Sequence, residues 1–149
     1  MRDARSPSTE RIEIDLWNTR DTDLLGRVGE VVGWKCLWRR GISTWPFWQV
    51  IQTDLFREHM TQDQKNYLSE FGTGNWPGRA WDLVGIEHGG QKPCLVEVKT
   101  TRSVRCKADR RKIAKDVDRF EAKKRGFGLW LVTVQLTDTW KFVVHLKRL

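Results

Sequence analysis

Residues 81–99 have the sequence WDLVGIEHGGQKPCLVEVK, in which two apolar runs flank the pair Gly89–Gly90. A glycine pair between β-branched runs favours a two-residue turn, so this segment predicts a β-hairpin. A register centred on the pair places Asp82 opposite Glu97. Because side chains alternate along a strand, Lys99 lies on the same face as Glu97. Both runs are largely apolar on both faces, which predicts interior strands.

This hairpin gathers charged groups that are suited to binding a divalent cation. Directly opposed residues have Cβ atoms about 4.5–5.5 Å apart, so Asp82 and Glu97 repel each other unless a cation compensates them. Magnesium is commonly held by one or two carboxylates together with water and phosphate oxygens. The ammonium group of Lys99 can orient a water or stabilise developing charge. The alternative is a structural salt bridge between Lys99 and one of the two acids.

The spacing of these residues resembles a known nuclease signature. Asp82, followed fifteen positions later by Glu97-Val98-Lys99, resembles the PD-(D/E)xK pattern of restriction-endonuclease-like nucleases, which include archaeal Holliday-junction resolvases. Glu30, in the sequence GRVGE, matches the glutamate of the family's first helix. The proline that often precedes the aspartate is absent here, and Trp81 takes its place.

The resemblance implies an α/β fold with a central mixed β-sheet flanked by helices. It implies Mg²⁺- or Mn²⁺-dependent hydrolysis of phosphodiester bonds, with catalytic roles for Glu30, Asp82, Glu97 and Lys99. The metal ligands would be the carboxylates of Asp82 and Glu97 and the backbone carbonyl of Val98.

Positive charge is concentrated directly after the hairpin. Residues 101–125 contain eleven basic and four acidic side chains, so they account for +7 of the net charge of +8. Such a segment attracts a polyanion, and release of counterions makes the binding of nucleic acid salt-dependent. The alternative is a solvated helix face. The basic residues nearest the proposed site are the predicted nucleic-acid contacts: Arg102, Arg105, Lys107, Arg110, Arg111, Lys112 and Lys115.

A helix is predicted from about residue 24 to residue 39, with caps available at residues 21–23. Gly26, Gly29 and Gly33 form one stripe on it. Glycine within a helix costs about 0.5–1 kcal/mol relative to alanine, so the stripe predicts close packing against a sheet or a nucleic-acid backbone. Glu30 lies beside this stripe. The main apolar arc is expected to consist of Leu24, Leu25, Val28, Val31 and Val32.

Hydrophobic periodicity predicts the remaining elements. A strand is expected over residues 45–51, a helix over 54–71, an amphipathic helix over 107–125, and strands over 127–136 and 140–146. Residues 1–20 are expected to form an N-terminal arm or an edge strand. The inner stripe of the amphipathic helix is predicted to contain Ile113, Ala114, Val117 and Phe120.

Composition indicates a single domain over residues 1–149, with no membrane-spanning or signal segment and a cytoplasmic location. Cys36, Cys94 and Cys106 lack metal-binding spacing and are expected to be reduced thiols. Of the nine tryptophans, Trp38, Trp81 and Trp130 are most simply packing residues. Candidates for base stacking or for a homodimer interface are found among Trp34, Trp45, Trp48, Trp76 and Trp140. The predicted function is a metal-dependent endonuclease with DNA as the expected substrate. The alternative is a catalytically inactive nucleic-acid-binding module with a nuclease fold.

Overall fold

The computed structural model describes residues 10–72, 81–89, 91–102 and 112–149. Within these ranges the chain forms a mixed five-stranded sheet with helices, which confirms the predicted α/β class. The helices are α1 (Thr22–Arg39), α2 (Phe47–Ile51), α3 (Gln62–Gly72) and α4 (Lys112–Lys124), with a 3₁₀ turn at Arg57–His59. The strands are β1 (Ile42–Pro46), β2 (Leu83–Glu87), β3 (Lys92–Thr101), β4 (Gly128–Leu136) and β5 (Phe142–Arg148). None of the helices in the described ranges is long and apolar enough to cross a membrane.

The strands lie in the order β1-β2-β3-β4-β5, with β3 and β4 parallel and the other neighbours antiparallel. The predicted hairpin is formed by β2 and β3, and its register pairs Val84 with Leu95 as expected. Both strands are interior, which confirms the prediction from their apolar faces. The edge strand β5 alternates between half-buried and exposed residues over most of its length, as its sequence pattern predicts.

The turn of the hairpin differs from the prediction. The ladder ends at the pair Glu87 and Lys92, so four residues connect the strands instead of two. Gln91 takes the left-handed conformation, with a φ of 51°, whereas Gly89 does not have a positive φ. Gly90 lies outside the described residues. The register survives because it is set by the apolar pattern of the strands.

Helix α1 starts and ends where the sequence predicts. The carboxylate of Asp21 accepts a hydrogen bond of 3.0 Å from the amide of Leu24, which caps the first turn. Gly41, with a φ of 80°, follows the last turn and terminates the helix.

The glycine stripe of α1 faces the sheet. A Cβ atom at Gly29 would lie 1.7 Å from Oγ1 of Thr100, and one at Gly33 would lie 3.1 Å from Cγ1 of Val132. Of the two partners that the sequence allowed for the stripe, a sheet or a nucleic-acid backbone, Gly29 and Gly33 pack against the sheet. The expectation for the apolar arc is wrong at Val31, which is 54 % exposed, because the glycines rather than the valines set the buried face.

The region between α1 and the hairpin was predicted less well. The strand expected over residues 45–51 ends at Pro46, and α2 follows it. The helix expected from residue 54 begins at Gln62, because Thr61 and Gln64 form a reciprocal capping box there. The amide of Gln64 donates to Oγ1 of Thr61 at 3.2 Å, and the amide of Thr61 donates to Oε1 of Gln64 at 2.9 Å.

Each face of the sheet has its own core. One core contains Val84, Leu95 and Leu129 together with residues of α2, α3 and α4. The other contains Cys94, Val96 and Val132 of the sheet and packs against α1. Consecutive residues of β3 therefore contribute to opposite cores.

The predicted inner stripe of α4 is wrong at Phe120, which is 66 % exposed. Asp118 and Ala122 are buried instead, so the helix is rotated relative to the expected phase. The side chains of Ile113, Ala114 and Val117 lie outside the described part of the structure.

At the N-terminus, the described residues 10–21 contain no strand, and Ile12 and Ile14 are exposed. Residues 10–21 therefore form no edge strand of the described sheet, and residues 1–9 lie outside the described part of the chain.

Candidate active site

Asp82 lies immediately before β2, and hydrogen bonds of both its backbone and its carboxylate hold it there. Its amide donates to the carbonyl oxygen of Val96 at 3.0 Å, and its carbonyl accepts from the amide of Phe47 at 3.0 Å. Its carboxylate oxygen Oδ2 accepts from the amide of Val98 at 2.7 Å. The carboxylate is therefore directed towards β3, beside the residue whose carbonyl was the predicted third metal ligand.

Glu97 is a buried carboxylate, with 8 % of the residue exposed. Its Oε1 lies 3.7 Å from Nζ of Lys99, and its Oε2 accepts a hydrogen bond of 3.1 Å from the guanidinium of Arg119 on α4. A buried charge is costly unless it is paired and hydrogen-bonded. These two cations provide that compensation.

Asp82, Glu97 and Lys99 thus lie at one end of the β2–β3 hairpin, where the strand pairing ends at Leu83 and Val96, one residue short of the predicted pair of Asp82 and Glu97. The amide of Val98 compensates one acid, and Lys99 and Arg119 compensate the other. The repulsion expected between opposed carboxylates is therefore offset by neighbouring groups of the protein itself.

Arg119 was not among the predicted site residues. The sequence places it in the basic segment, and the expected phase of α4 assigned that segment's cations to the outer face. Once Asp118 and Ala122 are known to be buried, Arg119 lies next to the inner face and can reach β3. Aspartate is rarely buried, so the sequence carries no signal that places Asp118 on the inner face, and the position of Arg119 follows only from the structure.

Glu30 does not join this group directly. It belongs to α1, which packs on the face of β3 that carries Thr100, whereas Glu97 and Lys99 belong to the opposite face. Partial burial raises the pKa of Glu30, and the guanidinium of Arg27, 3.5 Å away, opposes this shift. In the described ranges, no three His, Cys, Asp or Glu side chains lie close enough together to hold a metal ion jointly.

Of the predicted nucleic-acid contacts, Arg102 is the one whose side chain lies within the described part of the structure. The guanidinium of Arg102 donates to the carbonyl oxygens of Trp17, at 3.0 Å, and of Thr19, so it anchors the N-terminal arm. Arg105, Lys107, Arg110 and Arg111 lie outside the described residues, as do the side chains of Lys112 and Lys115.

Three tryptophans form a cluster between α1 and β1. The rings of Trp34, Trp38 and Trp45 have centroids 5.3–6.0 Å apart, and Trp38 remains partly exposed. Trp48 and Trp140 are also exposed, as stacking or interface residues would be, while Trp76 lies outside the described residues. Trp81, at the position where the PD-(D/E)xK pattern often has proline, is buried and donates to the hydroxyl of Tyr67 at 3.2 Å.

Comparison with known proteins identifies no relative: no protein-family model, no curated protein and no solved structure matches this chain. Its function is therefore inferred from the chemistry of the described residues.

Proposed function

We propose that this protein is a metal-dependent endonuclease that hydrolyses phosphodiester bonds of nucleic acid, with DNA as its expected substrate. The observation that carries the proposal is the meeting of Asp82, Glu97 and Lys99 at one end of the hairpin. A buried carboxylate with an ammonium group 3.7 Å away, beside a second carboxylate, combines the metal-binding and charge-stabilising groups that this reaction needs.

The donor set fits one divalent cation of the Mg²⁺ type. Such a cation is held by one or two carboxylates and completes its coordination with water and substrate phosphate oxygens, so a cluster of three acids is not required. Asp82 and Glu97 would hold it, with the carbonyl of Val98 as a further oxygen ligand. A bound cation of this kind polarises the phosphoryl group and lowers the pKa of a coordinated water.

The protein's own residues have separate roles in this proposal. Lys99 donates a hydrogen bond to the attacking water or to a phosphate oxygen, where it stabilises developing negative charge. Arg119 compensates Glu97 through their hydrogen bond in the absence of the cation. Glu30 belongs to α1, which packs on the other face of β3, so it would contribute only if substrate binding changes the position of α1 relative to β3. The basic segment that follows β3 attracts the nucleic-acid backbone.

One observation favours a second function. Glu97 is already paired with Lys99 and Arg119, and the carboxylate of Asp82 accepts from the amide of Val98, so both acids have partners within the protein. This arrangement suits a catalytically inactive nucleic-acid-binding module. In that case the same acids would serve only to fix α4 and the hairpin.

Cleavage of a panel of single-stranded, duplex and branched DNA and RNA, with and without Mg²⁺, distinguishes the two functions. The endonuclease requires Mg²⁺-dependent cutting by the wild type that is lost in Lys99→Ala and in Asp82→Asn. Lys92→Ala is the matched control, since it removes the same charge from the other end of β3 and should retain activity. Salt-sensitive binding of nucleic acid without cutting in any condition would instead establish the binding module.

A further inference from the structure

A second positively charged site lies at the other end of the sheet. A cleft of about 360 Å³ is bounded by the end of α1, the β2–β3 turn and the end of β5. Glu97 lies five positions after Lys92, which is near this cleft, and this interval corresponds to about 17 Å of strand. The cleft is therefore distinct from the candidate active site. Its lining includes Arg39, Arg40, Glu87, His88, Trp130 and Arg148.

The charges that line the cleft are not balanced. Arg39 and Arg40 are exposed at the end of α1, and in the described ranges neither side chain has an ion-pair partner. Arg148 pairs with Glu87 at 2.5 Å. Three guanidinium groups and one carboxylate give a local charge of +2. The C-terminal end of α1 adds only about half a negative charge, so the cleft remains positive.

The cleft is also partly preorganised. Glu87 accepts from the indole nitrogen of Trp130 at 2.8 Å and from Arg148, whose guanidinium lies 5.1 Å from the Trp130 ring centroid. These contacts fix the position of Arg148. Its guanidinium has five N–H donors, and the hydrogen bond to Glu87 leaves others available to a ligand. The amide of His88 donates to the carbonyl of Gly41 at 3.0 Å, which ties the turn to the end of α1.

We propose that this cleft binds a phosphate monoester. Guanidinium groups form paired hydrogen bonds with phosphate, and a local charge of +2 complements the dianionic monoester better than a singly charged diester or carboxylate. The volume lies near the lower end of the range of small-ligand sites, which is about 300–1,000 Å³. The phosphate belongs either to a free mononucleotide or to the terminal phosphate of a nucleic-acid strand. This proposal does not depend on metal-dependent cleavage.

Calorimetric titration of the full-length protein with inorganic phosphate and with a 5′-mononucleotide tests the proposal. The variant Arg39→Ala/Arg40→Ala should bind both about tenfold more weakly or worse, because it removes two charge-assisted contacts. Arg20→Ala/Lys141→Ala is the matched control, since it removes two exposed cations that lie outside both the cleft and the basic segment 101–125 and should bind as the wild type does. An equal loss in both variants, or no binding by the wild type at millimolar phosphate, would overturn the proposal.

The source of the phosphate is identified by oligonucleotides with and without a 5′-phosphate. Preference for the phosphorylated strand that disappears in Arg39→Ala/Arg40→Ala would assign the cleft to strand ends. Binding of the mononucleotide alone, with the same loss in that variant, would assign it to free nucleotides. Circular dichroism of both double variants verifies that the fold is unchanged. If neither probe distinguishes the two double variants, the cleft is not a phosphate site.

Discussion

Addition of one methyl group at Gly29 should destabilise the protein, whereas the same addition at Gly26 should stabilise it. Both glycines lie within α1, and alanine improves helix propensity at each by about 0.5–1 kcal/mol. Their surroundings differ. A Cβ atom at Gly29 would lie 1.7 Å from Oγ1 and 2.7 Å from Cβ of Thr100, whereas one at Gly26 would have no neighbour within 4 Å.

The clash at Gly29 cannot be relieved by rotation of a side chain. Cβ of Thr100 is fixed by the backbone of β3, so α1 must move away from the sheet. Overpacking of this kind costs about 1–3 kcal/mol, and contacts this short fall in the upper part of that range. After the gain in helix propensity, we expect Gly29→Ala to lose about 1–2.5 kcal/mol of unfolding free energy. Gly26→Ala should gain about 0.5–1 kcal/mol.

Urea unfolding followed by tryptophan fluorescence measures these differences. Gly33→Ala should fall between the other two variants, because its Cβ would lie 3.1 Å from a flexible valine methyl group. Combining Gly29→Ala with Thr100→Ala should restore only part of the loss, since the Cβ atom at 2.7 Å remains, and Thr100→Gly should restore more. If Gly29→Ala is as stable as Gly26→Ala, with equal m-values, α1 does not pack on β3 as described.

Three further outcomes follow from the structure. Asp21→Ala should lower the unfolding free energy by about 1 kcal/mol, measured in urea, because it removes the cap on the amide of Leu24. Burial raises the pKa of Glu30 in the folded state, so the stabilisation from its protonated form is present at low pH and is lost as the pH rises through the folded pKa. The unfolding free energy of Glu30→Gln relative to the wild type should therefore be higher at pH 7 than at pH 4, measured in urea. Burial raises the pKa of Cys94 to about 12, so in a variant lacking Cys36 and Cys106 its thiol should react with a disulfide reagent at pH 8 only after denaturation.

The hairpin was predictable because its two apolar runs flank a short connecting segment and their alternation sets the register of the strands. A shift by one residue would have moved Leu95 and Glu97 to the other face of the sheet. The turn was less predictable, because four connecting residues preserve this register as well as two do. The sequence therefore determined which residues of β2 and β3 face each other, but not the conformation of Gln91.

The errors elsewhere arose where two local patterns competed. For α3, apolar periodicity extended the helix back to residue 54, while the capping box of Thr61 and Gln64 starts it later. For α4, apolar periodicity placed Phe120 on the inner face of the helix, whereas the packing of the helix on the sheet buries Asp118 and Ala122 and leaves Phe120 exposed. In both cases a specific hydrogen bond or buried polar group outweighed the hydrophobic pattern.

The phase of α4 also bears on the function of the site. Glu97 and Lys99 are fixed relative to each other because they belong to the same strand, whereas Arg119 reaches Glu97 from α4. A cation that binds Glu97 must therefore share the carboxylate with Arg119 or displace it, and a long arginine side chain can withdraw without disturbing the sheet. In an endonuclease, Arg119 is then the group that yields when metal and substrate bind. In a binding module it is the permanent partner of Glu97, so the position of Arg119 in the presence of Mg²⁺ separates the two functions at the level of a single side chain.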